Sequence, residues 1–177
     1  MGNLTNHFSD YEFKCKCGCD GLLLSDVLYK NLEKLFTALN CSKIIVNSGY
    51  RCKKHDIAVG GTGVGQHVNG KAADIMCYDK DGKIIPAPVV CAVAVRFFNG
   101  VSRIDKQNTS CHVDVADRIW YGDETVTTER SITNDFTKYF NLSAADIAKY
   151  TGGETKTEHT IEIIIDGKTI AKETYKI

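Results

Sequence analysis

The sequence predicts an α+β fold, a small and mainly antiparallel sheet flanked by helices, followed by a small C-terminal extension made of helices and a β-hairpin. Three observations carry this reading. Leu28, Leu32, Leu35, Phe36 and Leu39 recur at the spacing of one buried helix face. Apolar runs at 44–46, 72–77, 101–104 and 111–115 have the length or alternation of strands and are separated by polar or glycine-rich turns. A chain of 177 residues is long enough for one main core with a small appendage.

Taken in order, Ser25 is placed to cap the first helix, which ends at Asn40. Ile44-Ile45-Val46 is a short buried strand whose end delivers Asn47-Ser48-Gly49-Tyr50-Arg51 into a loop rich in glycine at Gly60, Gly61, Gly63 and Gly65. In Ala72 to Cys77 the alternation is that of a strand, so Asp74 lies on the face opposite Ile75. Asp79 to Gly82 makes a turn. Pro88 suits the first turn of a helix that Val89 to Phe98 fills with apolar residues until Asn99-Gly100. Val101 to Ile104 and Cys111 to Val115 are two further strands joined by a polar turn at Asp105 to Thr109.

After Trp120 the character changes. Glu124 to Thr133 is polar, a helical pair follows at Ile132 to Phe140 and Ser143 to Tyr150, and Gly152-Gly153 breaks it. Ile161, Ile163 and Ile165 then pair across an Asp166-Gly167 turn with Ile170 onward, a hairpin signal. The expected boundary lies near Asp123, with 1–123 as the main domain and 124–177 as an extension of unknown role.

Lys plus Arg equals Asp plus Glu at 22 each, so no global field draws the chain to nucleic acid or an anionic membrane. No nucleic-acid partner and no membrane span are expected, and the oligomeric state is open. The first residues lack a basic start and an apolar run, so no signal peptide is visible. The expected location is cytoplasmic at synthesis, with action elsewhere only after release. Eight cysteines are many for a reduced compartment, yet they lack the paired spacing of a disulfide framework. Cys15-Lys16-Cys17-Gly18-Cys19 reads as a second metal site, a redox-dependent clasp with Cys52, or a plain buried cluster.

The chemistry concentrates in two segments, Gln66 to Asp74 and Cys111 to Val115. His67, Asp74 and His112 read together as a Zn²⁺ site, because two neutral imidazoles and a carboxylate suit zinc and three protein ligands leave one position open. In a strand, residues two apart share a face, so Asp114 points to the same side as His112.

Phe8-Ser9-Asp10-Tyr11-Glu12-Phe13, Cys15-Lys16-Cys17-Gly18, Val46-Asn47-Ser48-Gly49-Tyr50-Arg51, His55, Val59-Gly60-Gly61, Gln66-His67, Gly70-Lys71-Ala72-Ala73-Asp74-Ile75 and His112-Val113-Asp114, in that order, resemble the M15 peptidases. These are zinc D-Ala-D-Ala carboxypeptidase-like enzymes that act on peptidoglycan stem peptides and are often encoded by phages or prophages, where they serve as endolysins. The resemblance runs from about residue 8 to 120. It implies a hedgehog- or DD-peptidase-like fold, zinc on His67, Asp74 and His112, and Arg51 facing the substrate as a carboxylate or oxyanion partner. It further implies a zinc peptidase of stem peptides, most simply a D-Ala-D-Ala carboxypeptidase. An endopeptidase cutting elsewhere in the stem or cross-bridge, and a wall-binding protein that kept the fold without turnover, are the alternatives.

The departures from the family are Gly65 where Ser is usual, Asp56 where Asn is frequent, and Thr109 where many relatives place a glutamate three residues before the last histidine. The base is therefore expected elsewhere. Asp114 is the expected proton acceptor, its other reading being support of a ligand, with Asp56 and Asp105 next in line.

Overall fold

A computed structural model describes residues 2–126, 133, 135–152, 158–165 and 168–176. The α+β expectation holds: a five-stranded sheet, all antiparallel but for one edge pair, is flanked by helices. After a 3₁₀ turn at Asp10–Phe13 come α1 (Asp26–Ala38), β1 (Lys43–Ser48), α2 (Lys53–Ala58), β2 (Ala72–Tyr78), α3 (Ala87–Ala94), β3 (Gly100–Arg103), β4 (Cys111–Asp114) and β5 (Trp120–Asp123). Short helices α4 (Phe136–Tyr139) and α5 (Ala144–Ala148) and the hairpin strands β6 (Glu158–Ile165) and β7 (Lys168–Lys176) follow.

The sheet order is β1-β2-β4-β3-β5, with β3 and β5 parallel. Strand alternation divides its two faces. Ile44, Val46, Ala73, Ile75, Cys77, Val101, Cys111 and Val113 point into the core and meet Leu28, Leu32 and Leu35 of α1 and Val89, Val90 and Val93 of α3, all buried. The opposite face carries one cross-sheet row: Ser48 is opposite Asp74, Asp74 opposite His112, His112 opposite Ser102, and Ser102 opposite Gly122. The register shift between Val46 and Ser48 is what brings Ser48 into that row, since a bulge moves the later residues to the other side of the strand.

Several elements depart from the sequence reading, among them α4, which spans only Phe136–Tyr139 where the sequence predicts a helix from Ile132 to Phe140. α2 occupies part of what reads as a glycine-rich loop; its Lys53-Lys54-His55 start has no apolar period to announce it. β5 is only four residues long and pairs with β3 in parallel, so neither its length nor a local turn marks it. α3 stops at Ala94, after which Phe97 and Phe98 both bond back to the carbonyl of Ala94 in a tighter turn.

The extension is in two parts. β6 and β7 pair antiparallel as a separate two-stranded sheet, with the Asp166-Gly167 turn outside the described residues. Ile132 also lies outside them. α4 and α5 pack on α3, and Phe136 is 1% exposed, stacked on Phe140 and tilted against Tyr121. Arg103 pairs with buried Asp123, whose carboxylate also accepts from Thr125 and Tyr139, and the Arg103 guanidinium lies 5.0 Å from the Phe140 ring. Residues on both sides of Asp123 thus share one core.

We therefore propose a folding unit that extends to about residue 152. Removing a buried Phe costs about 3–5 kcal/mol, so a chain of residues 1–152 is expected to fold cooperatively while one of residues 1–123 aggregates or melts at clearly lower temperature. Identical melting curves for the two would restore the boundary to Asp123.

Candidate active site

The site is built where β1, β2 and β4 end against two loops. Gly49 is required directly after β1, because a Cβ there would come within 2.6 Å of the Phe13 backbone, and the chain passes close enough for Tyr50 N–H to bond the Phe13 carbonyl at 2.8 Å. Gly70 holds φ at +66° before β2, where a side chain would strike the carbonyl of Leu23. Between these turns Arg51 N–H bonds the carbonyl of His67, tying the Arg51 turn to the loop that carries His67.

His67, Asp74 and His112 offer ligand atoms that all lie within 4.8 Å of one another. His67 Nδ1 is 2.7 Å from the Gly49 carbonyl, which only accepts, so Nδ1 is the protonated nitrogen and the Nε2 lone pair faces Asp74 Oδ1 at 3.2 Å. His112 Nδ1 faces the same oxygen at 3.1 Å, and its Nε2 is 3.2 Å from Asp114 Oδ2. Each imidazole is thus held from behind by an acceptor and aimed at one carboxylate oxygen, the arrangement that fixes the tautomer of a metal-binding histidine.

Electrostatics agree. Burial works against the charged carboxylate of Asp74, but the two imidazoles override it and hold its acid well below the usual range. Burial likewise works against an imidazolium at His112, yet Asp114 and Asp74, one on each ring nitrogen, raise it to about 10. Two imidazoles on one oxygen of Asp74, each with its other nitrogen held by an acceptor, make a set of donors that could hold a cation.

Arg51 is 18% exposed at its side chain and committed on three sides. Nε bonds Ser48 Oγ at 2.7 Å, Nη2 bonds the second oxygen of Asp74 at 2.5 Å, and Nη1 is 3.5 Å from Asp56. Asp56 is itself buried and accepts from Gly63 N–H at 2.8 Å, so it fastens the glycine-rich loop to Arg51. Asp105 is spent on the β3–β4 turn, where it accepts from the backbone N–H groups of Thr109 and Ser110.

Asp114, the proton acceptor expected from sequence, is on the predicted face but behind His112. It is fully buried, is absent from the cavity wall, and accepts from His112, from Arg118 through both terminal nitrogens (3.0 and 2.9 Å) and from Ala116 N–H (3.0 Å). Burial notwithstanding, His112 and Arg118 hold its acid down to about 2.

The three clustered residues form the floor of an open cavity of about 510 Å³, walled by Arg51, Gln66, Ile104, Arg118, Trp120 and Glu124. Trp120 stands edge-on to His112 at 6.4 Å between ring centres and lies across Gly122, where a Cβ would meet its ring at 2.8 Å. Sequence reasoning missed Glu124. It follows Trp120 and Gly122 at strand alternation, its N–H continues the ladder to the Arg103 carbonyl, and its carboxylate makes no hydrogen bond or ion pair among the described residues. Asp56, Asp74 and Glu124 are the carboxylates of the cavity wall, and the first two are already paired.

The His-Asp-His cluster on the polar face of the α+β sheet, at the floor of an open cavity, is a set of donors that could hold a metal ion. The sequence model of the family described as Peptidase M15 matches residues 6–114, well over half of the chain, and the protein belongs to that family. No curated protein matches it. Among the described residues no helix is long and apolar enough to cross a membrane.

Proposed function

We propose that the chain is a zinc peptidase that hydrolyses peptide bonds in peptidoglycan stem peptides, of the D-Ala-D-Ala carboxypeptidase type. The observation that supports it most is the convergence of His67 Nε2, His112 Nδ1 and Asp74 Oδ1, each imidazole fixed from its far side. These donors fit zinc: two neutral nitrogens and one carboxylate, in a site that is electronegative without a cation. When bound there, zinc supplies Lewis acidity and makes water nucleophilic near neutral pH.

The residues of the chain do the rest. Asp114 holds the His112 ring by its outer nitrogen and is itself held by Arg118. Arg51 sits on the outer oxygen of Asp74 and turns its guanidinium toward the cavity, where it binds a substrate carboxylate or a developing oxyanion. Glu124, the unpartnered carboxylate of the wall, takes the proton from attacking water and returns it to the departing amine. It reaches the cavity from the same end of the sheet as Thr109, the position at which, by the resemblance, many relatives carry a glutamate. Trp120 offers a flat apolar wall against which the peptide lies. In this reading the protein acts on the cell wall after release, as a phage-type endolysin does.

Incubation of the zinc-loaded protein with purified muropeptides, followed by mass spectrometry, tests this. Loss of one terminal alanine, abolished by a chelator and restored by zinc, is the expected result. Cleavage inside the stem or cross-bridge would make it an endopeptidase; zinc-loaded protein that binds muropeptides and leaves them intact would make it a wall-binding relative.

A further inference from the structure

We propose that Cys15, Cys17, Cys19 and Cys52 form a second metal site, a structural tetrathiolate that binds zinc. It lies apart from the His-Asp-His cluster and shares no ligand with it, so it stands or falls independently of the proposed reaction. The four Sγ atoms all lie within 4.8 Å of one another. Cys15 and Cys17 are 3.4 Å apart and Cys17 and Cys52 3.7 Å. A regular tetrahedron with Zn–S bonds of ~2.3 Å has S···S edges of about 3.8 Å, so the sulfurs already stand close to the separations the ion requires.

The chain achieves this by local geometry that ordinary zinc-ribbon spacing does not anticipate. Gly18 at φ +80° and Asp20 at φ 52° turn the loop back on itself, and Cys15 N–H closes it on the Gly21 carbonyl at 2.9 Å. Two backbone N–H groups then point at sulfur: Cys52 N–H at Cys15 Sγ (3.3 Å) and His55 N–H at Cys52 Sγ (3.4 Å). His55 Nδ1 lies a further 3.2 Å from Cys15 Sγ. Donors aimed at sulfur stabilise thiolates, the form in which cysteine binds metal.

Neither rival reading accounts for the cluster. A buried packing role fits Cys41, Cys77, Cys91 and Cys111, which lie in the hydrophobic core, but Cys17 and Cys19 are exposed. A disulfide clasp uses sulfurs in pairs, whereas three of these come from one five-residue loop and only Cys52 arrives from elsewhere. One bridge to Cys52 would leave two thiols stranded beside it; one cation satisfies all four. Cys52 directly follows Arg51, so the metal would bolt the 15–21 loop to the turn that presents Arg51 to the cavity.

The test uses the full chain purified under reductant without chelator. Elemental analysis is expected to find about two zinc ions per chain, one for each site, falling by one in the Cys17→Ser/Cys19→Ser double variant. Cobalt substitution separates the sites, because only the cysteine cluster has sulfur ligands. The near-ultraviolet thiolate-to-cobalt charge-transfer band should appear in the parental protein and in His112→Ala, and be lost in the double cysteine variant. A parental protein that takes up cobalt without that band would overturn the proposal. So would an intact mass two hydrogens light under the same reducing conditions, with a disulfide mapped to Cys52.

Discussion

His112→Ala and His67→Ala are each expected to reduce hydrolysis to the uncatalysed background and to lose the zinc of the His-Asp-His cluster while the chain stays folded. The expectation follows from how little redundancy the cluster has. Three donors meet within 4.8 Å, and each imidazole is oriented by one acceptor on its far side, Gly49 O for His67 and Asp114 for His112. Taking one ring away leaves two donors, and among the described residues lining the cavity there is no further histidine or cysteine to replace it. Arg51→Ala is the informative contrast. Arg51 contacts the outer oxygen of Asp74 and not the face turned to the histidines, so this variant should retain zinc and lose turnover by ~100-fold, the scale of one charge-stabilising donor. Lysine in its place should recover little, because a point charge does not span Ser48, Asp56 and Asp74 as a planar fork does. Elemental analysis paired with the muropeptide assay reads both arms. Parental turnover in His112→Ala would remove the cluster from the reaction altogether.

Local sequence carries some of this architecture and hides the rest for definite reasons. The period of two in Ala72 to Cys77 and in Cys111 to Asp114 is enough to put Asp74 and His112 on polar faces, because each strand has one side in the core. That Asp74 lies directly opposite His112 is a fact of pairing between segments almost forty residues apart, and only the family motif made it legible. The face of Asp114 was equally legible, but a shared face says nothing of where a carboxylate turns. Arg118 and Ala116 N–H, both within four residues, draw it to the outer nitrogen of His112. Glu124 was invisible for the opposite reason: the strand it follows is four residues long, contains a glycine and pairs in parallel with a strand twenty residues earlier. The Cys15 to Cys19 run stood out by composition, whereas the approach of Cys52 and the left-handed turn at Gly18 that gathers the sulfurs are tertiary and conformational facts. Phe136 belongs to the core, and Tyr139 hydrogen-bonds Asp123 from outside it, although the intervening stretch is polar, which is why a change in composition near Trp120 resembles a domain boundary.

Glu124 and Asp114 are expected to fail in different ways when neutralised, and that difference assigns the proton. Glu124→Gln should keep zinc, fold and substrate affinity and lower kcat by about 10²–10⁴-fold, the range for loss of a general base. The glutamate faces the cavity without a hydrogen-bonding partner among the described residues, so the amide disturbs little else. A base must be ionised to accept a proton, so the acidic limb of the parental pH–rate profile should vanish in Glu124→Gln and leave a low, flat rate. Asp114→Asn should behave otherwise. Asp114 is sealed from the cavity and touches the reaction only through the His112 ring, so the loss falls on metal affinity, by 10–100-fold on the usual scale for a carboxylate that orients a ligand histidine. Its activity should return toward the parental value when zinc is raised to saturation, and its acidic limb should persist. An Asp114→Asn protein that is saturated with zinc yet inactive, beside a Glu124→Gln protein at the parental rate, would exchange the two roles. The proton would then have to pass through the buried His112–Asp114 pair instead of the open wall of the cavity.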